Sequence, residues 1–192
     1  AVDSMSYALG INMGADFAKN IETIPGGKSN IDLIIKGFSQ AMKKDSTLLK
    51  PEVAQEYFRK YIMAEQARDN EAKKATGEKF LAENKVKQGI AITPSGLQYE
   101  VVQAAAGPKP QATDKVKVHY TGTTIDGNVF DSSVQRGEPV EFALNQVIPG
   151  WSEGVQLMNV GSKYKFYIPY NLAYGEQGIP QANIPPFAPL IF

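Results

Sequence analysis

The sequence predicts an α+β protein built from a helical N-terminal half and an antiparallel β C-terminal half. Three observations carry this. Between residues 4 and 62 apolar side chains recur at helical spacing. From Leu97 onward they alternate in short runs separated by turn residues. Between Pro51 and Pro94 the only helix breakers are Gly77 and Gly89, whereas Gly and Pro are frequent beyond.

The first helix is expected over Ser4 to Asn20. Gly10, Gly14 and Ala18 fall four residues apart on one face, with Tyr7, Ile11 and Phe17 nearby. Glycine inside a helix costs about 1 kcal/mol relative to alanine, so the stripe points to close approach of another helix. Asn12, Asp16 and Lys19 argue against a lipid-facing stripe. Pro25-Gly26-Gly27 breaks the chain, and Ser29 with Asp32 resembles a capping box. The second helix carries Ile31, Ile34, Ile35, Phe38 and Met42, and ends in Lys43-Lys44, which suits the negative end of its dipole.

Pro51 suits the first turn of a third helix. Unbroken to about Lys87, that helix would be roughly 55 Å long. Its apolar residues, Val53, Tyr57, Phe58, Tyr61 and Ile62, gather at the start, with Phe80 and Leu81 near the end. The polar middle, Glu65 to Lys79, reads as a solvated stalk. Three such helices make a meagre core alone. A symmetric partner supplies the missing half, so residues 1–64 are expected to be a homodimerisation module, residues 65–88 the stalk of the long connecting helix, and residues 89–192 a second domain. A compact three-helix unit folded back on that domain is the competing arrangement.

In the second half, Leu97 to Val101, Lys115 to Tyr120, Val140 to Leu144 and Tyr164 to Ile168 alternate as strands. Asp126-Gly127 between Thr124-Ile125 and Val129-Phe130 signals a hairpin. Leu190-Ile191-Phe192 begins a further strand. A short helix is expected after the Pro149-Gly150 corner, with an antiparallel half-barrel sheet wrapped around it. Trp151, the single tryptophan, follows that corner. Core burial and the floor of a cavity both remain open for it.

The composition excludes much chemistry. Twenty basic residues balance twenty acidic ones among 192, so no global field recruits nucleic acid or anionic lipid. With no cysteine and one histidine, His119, neither a Ser-His-Asp nor a Cys-His triad can be assembled, and no metal site is expected. His119 points away from the inward alternation of Val118 and Tyr120 and reads as a solvated strand residue. No apolar run is long enough to span a membrane, and no signal peptide is recognisable. A start at Ala1 rather than Met suggests a processed form, and the missing cysteines fit an oxidising compartment. What remains is a density of aromatic and aliphatic residues beside turns, among them Tyr120, Phe130, Val147, Ile148, Trp151, Tyr174 and Phe192. Such residues can line an apolar pocket for a compact apolar ligand, of which proline is one.

Val118-His119-Tyr120-Thr121-Gly122, Gly127 to Ser133, Val147-Ile148-Pro149-Gly150-Trp151 and Ala173-Tyr174-Gly175 resemble, in order and spacing, the signature of the FKBP-type peptidyl-prolyl isomerases over roughly residues 89–192. The first half, leading through Asn84-Lys85 and Gly89 to Ser95-Gly96-Leu97-Gln98-Tyr99, looks like the dimeric bacterial branch typified by the macrophage infectivity potentiator. The resemblance implies a peptidyl-prolyl cis-trans isomerase that needs no cofactor, metal or covalent chemistry. It implies Trp151 as pocket floor, Tyr120, Phe130 and Phe192 as walls, and Val147 and Ile148 as an edge whose Ile148 N–H meets a ligand carbonyl. Tyr174 would offer a rim hydroxyl and Asp131 would approach the carbonyl, paired with Arg136. Ile184 matches an apolar loop position. Asp131, Tyr174 and Tyr120 would be the catalytic group.

The implied partners are proline-containing unfolded or exported proteins, a second copy through the N-terminal helices, and rapamycin-like macrolides. The implied setting is the periplasm or outer membrane of a Gram-negative bacterium, with a role in folding and as a chaperone. Three departures stand out. Val140 occupies a position that is often an aromatic wall, so that side should be wider. The Gly178 to Pro186 loop is about one residue longer than in the smallest members, and Ile179 replaces a frequent histidine. The final strand is expected to continue past Phe192. A binding module whose helical half works as a chaperone without turnover, and a carrier of apolar small molecules, are the competing functions.

Overall fold

The computed structural model describes residues 1–192, which divide into two compact units, Ala1–Asp69 and Asn70–Phe192. The first holds α1 (Val2–Ile21), α2 (Ile31–Lys43) and most of α3 (Pro51–Asn84). Pro51 opens α3, where its fixed φ and missing N–H do no harm. The α2 start differs from the capping-box expectation. Asn30, not Ser29, is the N-cap, and its Oδ1 accepts from the Leu33 N–H at 3.0 Å. Asparagine one residue later gives the side-chain acceptor the better reach. Gly26, at φ +94°, lies against α3, and a Cβ there would meet the Tyr61 hydroxyl at 2.5 Å.

Neither α1 nor α2 buries a residue. Tyr7, Ile11, Phe17, Ile35, Phe38, Met42, Tyr57 and Phe58 are all exposed. Around Gly10 and Gly14 nothing lies within 4 Å of where a Cβ would be.

The second unit holds β1 (Ile90–Ile92), β2 (Gln98–Gln103), β3 (Lys115–Val118), β4 (Thr121–Thr124), β5 (Val129–Ser132), α4 (Ser133–Arg136), β6 (Val140–Ala143), α5 (Pro149–Val155), β7 (Lys163–Ile168) and β8 (Leu190–Ile191). All pairings are antiparallel. The α+β class with a sheet wrapped on a short helix holds. The sheet comes in two pieces: six strands in the order β1-β2-β7-β8-β4-β5, and the pair β3-β6. The three-residue β1 was not expected from the alternation; pairing with β2 makes it a strand.

The core joins α5 to the sheet through Leu97, Leu144, Trp151, Val155, Phe166 and Ile168. The Pro149-Gly150 pair is the first turn of α5 rather than a corner. Gly150 and Gly154 share one face of α5, and that face lies against Ile168 and Phe166 of β7. The other face of β7 carries Tyr167, whose ring is 6.2 Å from Phe80 of α3. Both faces of β7 are therefore covered, which is why Phe166, Tyr167 and Ile168 are all buried.

The far turns of α3 are not a solvated stalk throughout. Gly77 is buried against Pro189, and α3 ends at Asn84, a fully enclosed side chain. Asn84 Nδ2 donates to Gln98 Oε1 at 2.9 Å, and Gln98 Nε2 donates to the Leu81 carbonyl at 2.9 Å. No helix is long and apolar enough to cross a membrane.

Candidate prolyl-binding site

A cavity of about 440 Å³ opens over α5, lined by Tyr120, Phe130, Asp131, Phe142, Gln146, Val147, Ile148, Trp151, Tyr174 and Phe192. Trp151, only 7% exposed, is its base. Three rings meet the indole nearly at right angles: Tyr120 at 5.1 Å, Phe142 at 5.3 Å and Phe192 at 5.3 Å between centroids. Edge-to-face contacts set positive ring edges on negative faces, and they hold an aromatic cage open without collapsing it into a stack. Phe130 continues the wall, perpendicular to Phe192 at 5.6 Å.

Different elements deliver these groups. Tyr120 lies in the short link between β3 and β4, Phe130 and Asp131 on β5, and Phe142 on β6. Phe192 follows β8, and its N–H and C=O exchange hydrogen bonds with Phe166 on β7. Ile148 is the residue before α5, and its N–H has no partner within the protein.

One corner is polar. The Tyr120 hydroxyl donates to Asp131 Oδ2, and Arg136 Nη1 donates to Asp131 Oδ1. Arg136 Nη2 also donates to the Tyr120 oxygen at 3.1 Å. Burial works against the Asp131 charge, but the Tyr120 and Arg136 bonds outweigh it and hold the carboxyl below the usual carboxylate range. Burial, then the Asp131 bond, pushes the Tyr120 phenol above its ordinary value, so it stays protonated. Tyr174 is pushed the same way, by burial and then by the Asp131 charge. The corner thus carries the Asp131 carboxylate paired with the Arg136 guanidinium, and two neutral hydroxyls.

Of the residues named from the sequence, the structure brings Tyr120, Phe130, Asp131, Val147, Ile148, Trp151, Tyr174 and Phe192 to this cavity. Three others lie elsewhere. Arg136, at the end of α4, holds Asp131 and Tyr120 from outside the lining, its guanidinium 5.8 Å from the Tyr120 ring centre. Val140 opens β6 opposite Val118, and the ring of Phe142, two residues on, forms the wall there. Ile184 is 2% exposed and bridges Ile179 within its own loop. It borders a separate hollow of about 300 Å³ beside Lys73, Pro180 and Pro185. Phe142 and Gln146 were not foreseen. The Val140-Glu141-Phe142 alternation put Phe142 on the inward face, and that signal would have found it. Gln146, in a single 3-10 turn before Val147, had no sequence signal.

Two family models account for almost the whole chain. The domain amino terminal to FKBP-type peptidyl-prolyl isomerase matches residues 2–101, and FKBP-type peptidyl-prolyl cis-trans isomerase matches residues 107–192. The chain belongs to the FKBP-type peptidyl-prolyl cis-trans isomerases. It is an enzyme of that class. It is 46% identical to the FKBP-type peptidyl-prolyl cis-trans isomerase FkpA of Aeromonas hydrophila, over 99% of this chain and 73% of that protein. It is 41% identical to the FKBP-type 22 kDa isomerase of Escherichia coli, over 97% of this chain and 90% of that one. The outer membrane protein MIP of Legionella longbeachae is 40% identical over 92% of this chain and 77% of its own length. The crystal structure of FkpA from Escherichia coli superposes with a TM-score of 0.81 at 34% identity, covering 98% of this chain and 91% of that one.

Proposed function

We propose that the aromatic cavity over Trp151 is where this isomerase holds the proline ring, and that catalysis works by desolvation and twisting. The observation that supports it most directly is the cage of Tyr120, Phe142 and Phe192 around the indole, with a single polar corner at Asp131. The planar prolyl amide is stabilised by resonance that puts negative charge on its oxygen; the rotation barrier is about 18–20 kcal/mol. In the twisted transition state that resonance is lost and the oxygen is less polar. An apolar, water-poor cage therefore disfavours the planar amide more than the twisted one. The unpartnered Ile148 N–H holds the carbonyl on the far side of the proline, and the Tyr174 hydroxyl holds the substrate at the rim. Asp131 faces the rotating carbonyl, and Tyr120 and Arg136 keep it ionised and fixed. Arg136 acts on substrate through Asp131; Val140 and Ile184 shape the strand and loop beside the site.

The test is a protease-free isomerisation assay on a short Xaa-Pro peptide. Trp151→Ala should lower kcat/KM at least tenfold, an effect of about 1.4 kcal/mol. Asp131→Ala and Tyr174→Phe should each lower it by several-fold. Wild-type rates in all three variants would refute the site. A rapamycin-like macrolide should compete with the peptide for the same cavity.

Residues 1–64 are proposed to dimerise, with residues 65–88 as the connecting stalk and residues 89–192 as the isomerase domain. Supporting this, α1 and α2 bury no residue in the single chain and leave Ile35, Phe38 and Met42 open. A chaperone role is proposed beside the isomerase: a dimer that carries two prolyl cavities suits transient capture of unfolded, proline-containing chains. The chain has no cysteine, and a relative is an outer membrane protein of a Gram-negative bacterium. Both favour work on exported proteins in the periplasm or at the outer membrane.

A further inference from the structure

We propose that Ser133 is a positioning residue for the isomerisation: its buried hydroxyl fixes the Tyr120 backbone so that the Tyr120 phenol meets Asp131 at the cavity rim. The proposal rests on reading the cavity as the prolyl site.

Tyr120 lies between strands, since β3 ends at Val118 and β4 begins at Thr121. No sheet ladder holds its N–H or its carbonyl. Ser133 takes both. The Tyr120 N–H donates to Ser133 Oγ at 2.8 Å, and the Ser133 N–H donates to the Tyr120 carbonyl at 3.0 Å. The serine is fully buried, so in the folded chain the Tyr120 N–H depends on its hydroxyl and not on bulk water. That hydroxyl can itself donate to the Tyr120 carbonyl at 3.3 Å, and it pairs with His119 Nδ1 at 3.1 Å.

Ser133 is also the first residue of α4, and the last is Arg136. One residue therefore anchors the backbone of Tyr120 and the helix that carries the guanidinium back to Tyr120 and Asp131. The ring closes as Ser133, Tyr120, Asp131, Arg136 and α4. Without the hydroxyl, the Tyr120 link loses the acceptor that sets its direction. The phenol then samples positions in which it no longer donates to Asp131.

The experiment uses the full chain carrying Ser133→Ala. Turnover of a short Xaa-Pro peptide is measured without protease, and the aspartate carboxyl carbons are titrated by NMR, with Asp131→Asn identifying the signal. Ser133→Ala should lower kcat/KM about tenfold, or about 1.4 kcal/mol in the barrier, mainly through kcat. The Asp131 titration should move up toward the usual carboxylate range. Ser133→Cys, close in volume but a weak hydrogen bonder, should fall between, and it carries the test if the alanine variant does not fold. Wild-type turnover with an unmoved Asp131 titration overturns the proposal. So does a lowered melting temperature with both of those unchanged, since Ser133 would then only stabilise the fold. Full activity in Asp131→Asn would instead remove Asp131 from the site reading, and with it the catalytic consequence claimed for Ser133; the cavity over Trp151 itself falls only if Trp151→Ala and Tyr174→Phe also keep wild-type rates.

Discussion

At Gly122 a Cβ would lie 2.6 Å from Phe130 Cζ and 2.7 Å from Phe192 Cε1. The glycine beside Thr121 is thus a steric requirement: two wall rings press on the strand where a side chain would start. Gly122→Ala should push those rings into the cavity, lower kcat/KM by tenfold or more, and destabilise by about 1–3 kcal/mol. Denaturant melts and the peptide assay read the two effects separately. Asp131 gives a pH signature. Its carboxyl titrates below the usual range in the folded chain, so the folded state favours the ion. That contribution is fully present above the ordinary carboxylate value and is lost as pH falls through the lower folded value. Asp131→Asn should flatten this part of the acid-side decline in melting temperature, measured by thermal melts across the carboxylate range.

Among the elements, α5 depends most on missing side chains. Gly150 and Gly154 let its backbone rest on β7, and a Cβ at Gly154 would come within 2.7 Å of Phe166 Cε1. Alanine would add about 1 kcal/mol of helix propensity, but overpacking a core ring costs about 1–3 kcal/mol, so the clash wins. Gly154→Ala should lower the melting temperature and shift the fluorescence of Trp151, the single tryptophan and a neighbour on the same short helix. The far end of α3 shows the opposite device. There Asn84 and Gln98 tie the helix to β2 by polar bonds, Asn84 Oδ1 is already buried without a protein partner, and losing either side chain would leave a further buried group unsatisfied.

For the whole molecule, the two units differ in how they are held. The isomerase unit has a core of its own, while α1 and α2 leave their apolar faces uncovered. If a second copy covers them, light scattering should give twice the chain mass at micromolar concentration. Ile35→Asp with Phe38→Asp should return it to one chain mass. Turnover on a short peptide should stay within about twofold in that variant, because neither residue lies at the cavity. A wild-type chain that runs as a monomer would refute the dimer.

By itself the sequence determined the two halves, the three long helices, the alternating strands, the Asp126-Gly127 hairpin and the order of the motifs. Each of these is local: 3.6- and 2-residue periods and turn residues act within a few positions. Only the tertiary structure decided which aromatic rings enclose Trp151. It seated Phe142 rather than Val140 in the lining, although both lie on the inward face of β6, and left Ile184 in its own loop, because the alternation gives a face but not which residue along it reaches the cavity. It also made Pro149-Gly150 a helix start, since the close approach of Ile168 requires the glycine there. And it drew the last turns of α3 onto the sheet unit through Gly77, Phe80 and Asn84. Phe80 and Leu81 mark an apolar spot near the end of an otherwise polar stretch, but which strand they meet depends on the buried Gly77 and Asn84, and residue type alone does not announce those as contacts.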